Sequence, residues 1–251
     1  MTDSLLNVLL GLVASAISAG LGWLGQTARR RRRLERVRSF LGLPAGTECL
    51  LVVNRHASSS SGRSVSRNDV FALMELAALV KECGALADLV AHDDVRQGLG
   101  HKAEFCLGGP TSNDRTAAHL TSWLPGVAFT GDMSGSVPVL TLTVGGETYR
   151  YEHESAPSGG QAFVLLARLH PTPGSRPAFL IAGQTAVSNH AAVRHLVAHH
   201  RKLARRYGAD GTFALVLKVV NPGAYGPDVV ELVADVTSQA LERRPEAAPA
   251  P

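Results

Sequence analysis

Cysteine is scarce in this chain: Cys49, Cys83 and Cys106 are the only three in 251 residues. An odd count without ligand spacing excludes a disulfide framework and a cysteine metal cluster. It is the pattern of buried free thiols in a reducing compartment. Charge is scarce too, at 18% of residues, and the net charge of +4 is a local feature. Arg29 to Arg33 is an unbroken run of arginines, and without it the chain is close to neutral. Nucleic acid is therefore not expected as a partner. Three short motifs are missing as well. No G-x-G-x-x-G follows the first strand, and neither G-x-x-x-x-G-K-[ST] nor G-x-S-x-G occurs. Their absence excludes a standard dinucleotide fingerprint, a P-loop and a nucleophile elbow, and leaves the cofactor unknown.

What is present begins at the N-terminus. "LLNVLLGLVASAISAGLGWL", Leu5 to Leu24, carries no charge. Twenty helical residues span about 30 Å, the thickness of a bilayer's hydrocarbon core. Trp23 stands near one end, where an amphipathic ring prefers the interface. A cleaved signal peptide would carry positive charge ahead of a shorter apolar core. Here the early charge is Asp3 and the arginines follow. A buried soluble helix is the other alternative, because Asn7, Ser15 and Ser18 dilute the run. The expectation is a single-pass anchor over residues 1–28. The positive-inside rule then places the chain after the arginines in the cytoplasm and the N-terminus outside. The lipid bilayer is the first expected partner, and the arginines can hold anionic headgroups besides setting topology. Gly11, Ser15, Ser18 and Gly22 form a small face that would let two such helices pair as a homodimer.

Residues 29–44 read as a basic juxtamembrane connector, amphipathic from Leu34 to Leu43 and closed by Pro44-Ala45-Gly46. Residues 242–251, "ERRPEAAPAP", read as a disordered tail. Between them, 45–241 reads as one α/β domain. Apolar runs at 49–53, 85–90 and 103–107 alternate with helical segments, the pattern of a mostly parallel sheet with helices on both faces. Ser66, with Asp69 three residues on, resembles a capping box for the first of these helices. Phe71, Met74, Leu76, Leu79 and Val80 are expected on its core side. "VPVLTLTVGGETYRYEH" is a hairpin signal around Gly145-Gly146. The strands "AFVLLARL" and "AFLIAG", a helix at 187–207, and two further strands complete a mixed sheet. The hairpin then separates two Rossmann-like halves.

Two turns carry the functional expectation. Leu107-Gly108-Gly109-Pro110-Thr111-Ser112-Asn113 and Ile181-Ala182-Gly183-Gln184-Thr185 are each strand, glycine turn, hydroxyl, helix. Glycine at a strand end permits a tight turn and close ligand approach. The helix behind offers free N–H groups and positive potential. Ordinary capping explains the same residues. As a pair, they predict a shared cleft: Thr111 or Ser112 caps its helix, and Thr111, Ser112 and Asn113 from one side and Gln184 and Thr185 from the other supply donors to a bound anion or ribose. The loop 54–67 could fold over a phosphate, and Asp93, after the second strand, stands where an acid meets a ribose hydroxyl. His195 and His199 share a helix face but have no companion Glu, so no metal is expected. Glu152 and Glu154 read as an exposed strand rather than an acid–base pair.

The layout of span, arginine run and "GGPTSN" and "AGQTA" turns resembles membrane-anchored proteins of high-GC bacteria with a Rossmann-like cytoplasmic domain. That resemblance implies no particular activity and no catalytic residue. The expected function is a membrane-tethered domain binding a nucleotide-like or other small anionic ligand, as sensor or scaffold. The alternatives are an enzyme of nucleotide or phosphoester chemistry in the same cleft, and a purely structural anchor for a partner protein.

Overall fold

The N-terminal run and the arginines after it form one continuous helix, α1 (Thr2–Leu41). The computed structural model describes residues 2–56, 64–132 and 139–243, with backbone alone at 2–9, 11–14 and 16. Among the described residues no helix is long and apolar enough to cross a membrane. For half of the span expected at Leu5–Leu24 the side chains lie outside that set. Its described large apolar side chains, Leu10, Ile17, Leu21, Trp23 and Leu24, are each more than half exposed.

The other end of α1 is not a connector. Val37, Phe40 and Leu41, with Leu43 beyond, are buried in the core, so the folded unit begins inside α1 rather than at residue 45. Arg168, fully buried, fastens this end. Its Nη1 donates to the Phe40 carbonyl (3.0 Å), its Nε to that of Gly211 (2.8 Å) and its Nη2 to that of Gly208 (3.0 Å). The guanidinium also lies 4.3 Å from the Phe40 ring centre. Phe40 carries one of the carbonyls a helix C-terminus leaves unpaired, and a cation there also meets the negative end of the dipole.

The remaining elements are β1 (Glu48–Val53), α2 (Arg67–Glu82), β2 (Leu86–Ala91), β3 (Ala103–Leu107), α3 (Asp114–Trp123), β4 (Val127–Asp132), β5 (Val139–Val144), β6 (Glu147–Arg150), β7 (Gln161–Leu169), β8 (Ala178–Gly183), α4 (Ala186–Tyr207), β9 (Phe213–Val220), α5 (Pro222–Tyr225), β10 (Val230–Asp235) and α6 (Thr237–Leu241). The main sheet runs β10-β9-β7-β8-β3-β1-β2. β2, β1, β3 and β8 are mutually parallel, as the α/β alternation predicts. The other half is antiparallel: β7 opposes β8 and β9, and β10 opposes β9. It is not a second Rossmann-like half. A second sheet, β4-β5-β6, contains the expected hairpin and the unanticipated β4.

Helices cover both faces. The end of α1, α2 and α4 pack on one face, where Phe105, Phe179 and Phe213 lie. On the other, Leu120 and Leu124 after α3, Leu142 and Val144 of β5, and Ala240 of α6 pack on the strands. Within α2, Leu76, Leu79 and Val80 are buried as expected, but Phe71 and Met74 are exposed. The buried stripe instead runs back through Leu73 and Ala72 to Asp69.

Candidate functional site

β3 and β8 are neighbours, with Leu107 opposite Ile181, so the two glycine turns leave the sheet side by side at its strand C-terminal edge. A Cβ on Gly109 would lie 3.1 Å from the Gly183 carbonyl oxygen. β1, next to β3, ends there too, at Val53, with Asn54 directly after it. The chain departs from β1 to one side of the sheet and from β3 to the other. This reversal is the switch point at which open α/β sheets form a crevice. The crevice is a cleft of about 270 Å³ walled by the β1, β3 and β8 turns and by Leu140 and Tyr151 of the hairpin. α2 and α4 start at it, and the turn leading into α3 forms part of its wall.

Asparagines close both turns. Asn113, not Thr111 or Ser112, caps α3: its Oδ1 accepts from Thr116 N (3.0 Å) while its Nδ2 donates to the Leu107 carbonyl (2.7 Å). Ser112 is buried, with its Oγ on the Gly109 carbonyl (3.2 Å). Thr111 is exposed and lines the cleft. In the second turn, Thr185 caps α4 in a reciprocal box with Ser188. Asn189 Oδ1 accepts from Gly183 N (2.8 Å).

Gln184 does not offer its amide to the cleft. Its Nε2 donates to the Tyr149 (2.9 Å) and Leu140 (3.2 Å) carbonyls, and its Oε1 accepts from Phe163 N (2.8 Å). It brackets the hairpin to the main sheet. Asp93 is exposed beyond β2 and is not among the residues that wall the cleft. Of the loop 54–67, residues 57–63 lie outside the described residues. Arg55 and His56 line the cleft, and the Arg55 amide donates to the Ser112 carbonyl (3.0 Å).

The floor holds residues the sequence did not single out. Asp69 does not cap α2, and Ser66 makes no side-chain cap bond. Its carboxylate is turned inward, 1% exposed. Oδ2 accepts from Asn54 Nδ2 (2.9 Å) and Oδ1 from Asn189 Nδ2 (2.9 Å). One carboxylate thus ties the end of β1 to the start of α4. Burial raises its pKa; the two amide donors oppose that shift without cancelling it. Asn54 is 6% exposed, and its Oδ1 meets no donor among the described residues. The signal for Asp69 was its place one turn before Ala72 and Leu73 on the buried stripe.

Other candidates are closed. His195 and His199 stack at 4.3 Å. Burial, His199 and Lys202 push His195 down to about 4, which keeps it neutral at pH 7. Glu152 is tied to Gln161 and Ser158. Among the described residues Glu104, Cys106 and His119 are the one group close enough to share a metal ion. Both Glu104 oxygens already accept from Arg115, each at 2.9 Å, and His119 Nε2 stands 3.5 Å away. Burial would raise the Glu104 pKa, but His119 and Arg115 hold it low. The group is a compensated buried ion pair.

Fold and cleft together define a mixed α/β domain with a crevice at the switch point of its seven-stranded sheet. Compared with known protein families, curated proteins and solved structures, the chain has no match in any of the three.

Proposed function

We propose that the protein is a membrane-tethered domain that binds a nucleotide-like or other small anionic ligand in this cleft, as a sensor or scaffold. The observation that carries the reading is that the N-termini of α2 and α4 and the turn leading into α3 meet at one crevice. Helix N-termini present unpaired amides and positive potential, which favour an anion. Arg55 adds positive charge at the rim. The unpaired Asn54 Oδ1 suits a donor on the ligand, such as a ribose hydroxyl. The volume, about 270 Å³, is below the range of most drug-sized sites, so a phosphate with its sugar fits better than a dinucleotide.

The tether is Leu5–Leu24, with the domain on the cytoplasmic side and Gly11, Ser15, Ser18 and Gly22 as the face for pairing. In support, the described apolar side chains of that stretch have no cover within the chain. The enzyme reading is favoured by one observation, the buried carboxyl of Asp69 at the cleft floor. Product analysis of any nucleotide that binds separates the two.

The test is thermal unfolding of the full chain in detergent with nucleoside mono-, di- and triphosphates, their parent nucleosides and inorganic phosphate. At least one phosphorylated nucleoside should raise Tm by about 5–10 °C at a hundredfold excess over Kd, with the parent nucleoside weaker. No shift with any of these anions would remove the binding reading.

A further inference from the structure

We infer that arginines of α1 and α4 together form a collar that binds the phosphate groups of anionic phospholipids. Two grooves flank α1 where it leaves the domain. One, about 470 Å³, is lined by Arg33 and Arg36 of α1 and Arg201 and Arg205 of α4, with no acidic residue in its walls. The other, about 830 Å³, brings Arg29 and Arg30 into line with Arg33 and Arg201, and Glu82 is its one acid. Arg33 and Arg201 border both grooves, so the two are one surface wrapped around the helix. Residues more than 160 positions apart in sequence meet here because Arg168 locks the ends of α1 and α4 together.

These six arginines form no ion pair with a carboxylate among the described residues. The ion pairs of the neighbouring arginines lie elsewhere, Arg38 with Glu35, Arg194 with Asp228 and Arg206 with Asp235. A helix dipole accounts for Arg205, in the last turn of α4. It does not account for Arg33, Arg36 and Arg201, which lie outside any last turn. Gathering like charges without a counter-ion costs free energy, and an anion in the groove removes that cost. Guanidinium forks match phosphate oxygens in pairs.

Position selects the source of the phosphate. The inference rests on the tether proposed above. With Leu24 at the edge of the hydrocarbon, Arg29 lies about 7.5 Å beyond it. The headgroup layer is about 5–8 Å deep on each side. The larger groove therefore meets that layer at its Arg29 end, while its Arg33 and Arg201 end, with Arg33 about 13.5 Å out, faces the headgroups from the water side within about a Debye length. Its walls also include the half-buried Leu34, apolar surface that inorganic phosphate cannot use.

The test uses the full chain in vesicles of phosphatidylcholine, alone or with increasing phosphatidylglycerol. Phenylglyoxal modification of Arg201 and Arg205 is read by mass spectrometry. Flotation of the protein with neutral vesicles reports the tether separately. The collar predicts protection of Arg201 and Arg205 that grows with phosphatidylglycerol. In Arg36→Gln, an exposed position outside the arginine run, the phosphatidylglycerol needed for half-protection of these α4 residues should rise about fivefold, with flotation unchanged. Flotation with equal modification in neutral and anionic vesicles would overturn the collar and leave the tether standing. Failure to float would overturn the tether, and the collar with it. Protection by sn-glycerol phosphate or duplex DNA equal to that by vesicles would overturn the lipid assignment.

Discussion

Asp69 and Arg168 are single buried charges that join segments distant in sequence. Asp69 has a folded-state pKa raised by burial. Its contribution to stability is therefore complete below the unfolded carboxyl pKa, about 4, and is lost as pH rises through the folded value. The destabilisation caused by Asp69→Ala should accordingly be larger at pH 4 than at pH 7, measured by denaturant unfolding at both. A larger loss at pH 7 would mean that the ionised form is the one the fold holds. Arg168 is charged throughout the physiological range, although burial pulls it down to about 10. Arg168→Met would leave the buried Phe40 carbonyl unpaired and release those of Gly208 and Gly211, at about 1–3 kcal/mol. Chemical unfolding measures that, and hydrogen exchange should show the last turn of α1 opening first.

Among the elements, the two glycine turns differ in what they require. Gly108 has φ +101, and a Cβ there would approach Asn54 Cβ at 2.6 Å. Gly108→Ala should cost about 1–3 kcal/mol by thermal or chemical unfolding. Gly109 has no left-handed angle, and its limit is the 3.1 Å approach to the Gly183 carbonyl. Gly109→Val must part the turns slightly, which costs less than Gly108→Ala but narrows the cleft. These turns were legible because glycine and a hydroxyl after an apolar run leave a local mark. The parallel pairing of β3 and β8 followed from two strand–turn–helix units. The antiparallel half was not legible, since a fully buried strand reads the same in either direction. β4 escaped because "VAFTGD" is short, ends in Gly and Asp, and is half exposed. Phe71 and Met74 misled because α2 is apolar on more than one side, and exposure was decided by where α4 docks. Gln184 and Asp69 were assigned the wrong partners because their hydrogen bonds run to the hairpin, β1 and α4. No spacing in the sequence predicts such contacts.

For the whole molecule, α1 runs as one continuous helix from Thr2 into the core and so joins residues 5–24 to the domain without a break. A reporter active only in the cytoplasm, fused after Arg33, should be active, and an export-dependent reporter at the same place silent. The reverse would invert the topology. The cleft is the centre of the account, and one substitution probes it with little risk to the fold. Ala186 is the first residue of α4 and lines the cleft. An acid in the first turn of a helix is favourable to the helix by about 0.3–1 kcal/mol. In this cleft the same charge would repel an anion. Calorimetric titration of wild type and Ala186→Glu with the nucleotide giving the largest thermal shift is the decisive measurement. The account predicts a Tm that holds or rises slightly and an affinity about tenfold weaker, with the uncharged parent nucleoside much less affected. An unchanged nucleotide affinity, or an equal loss for the nucleoside, would contradict it.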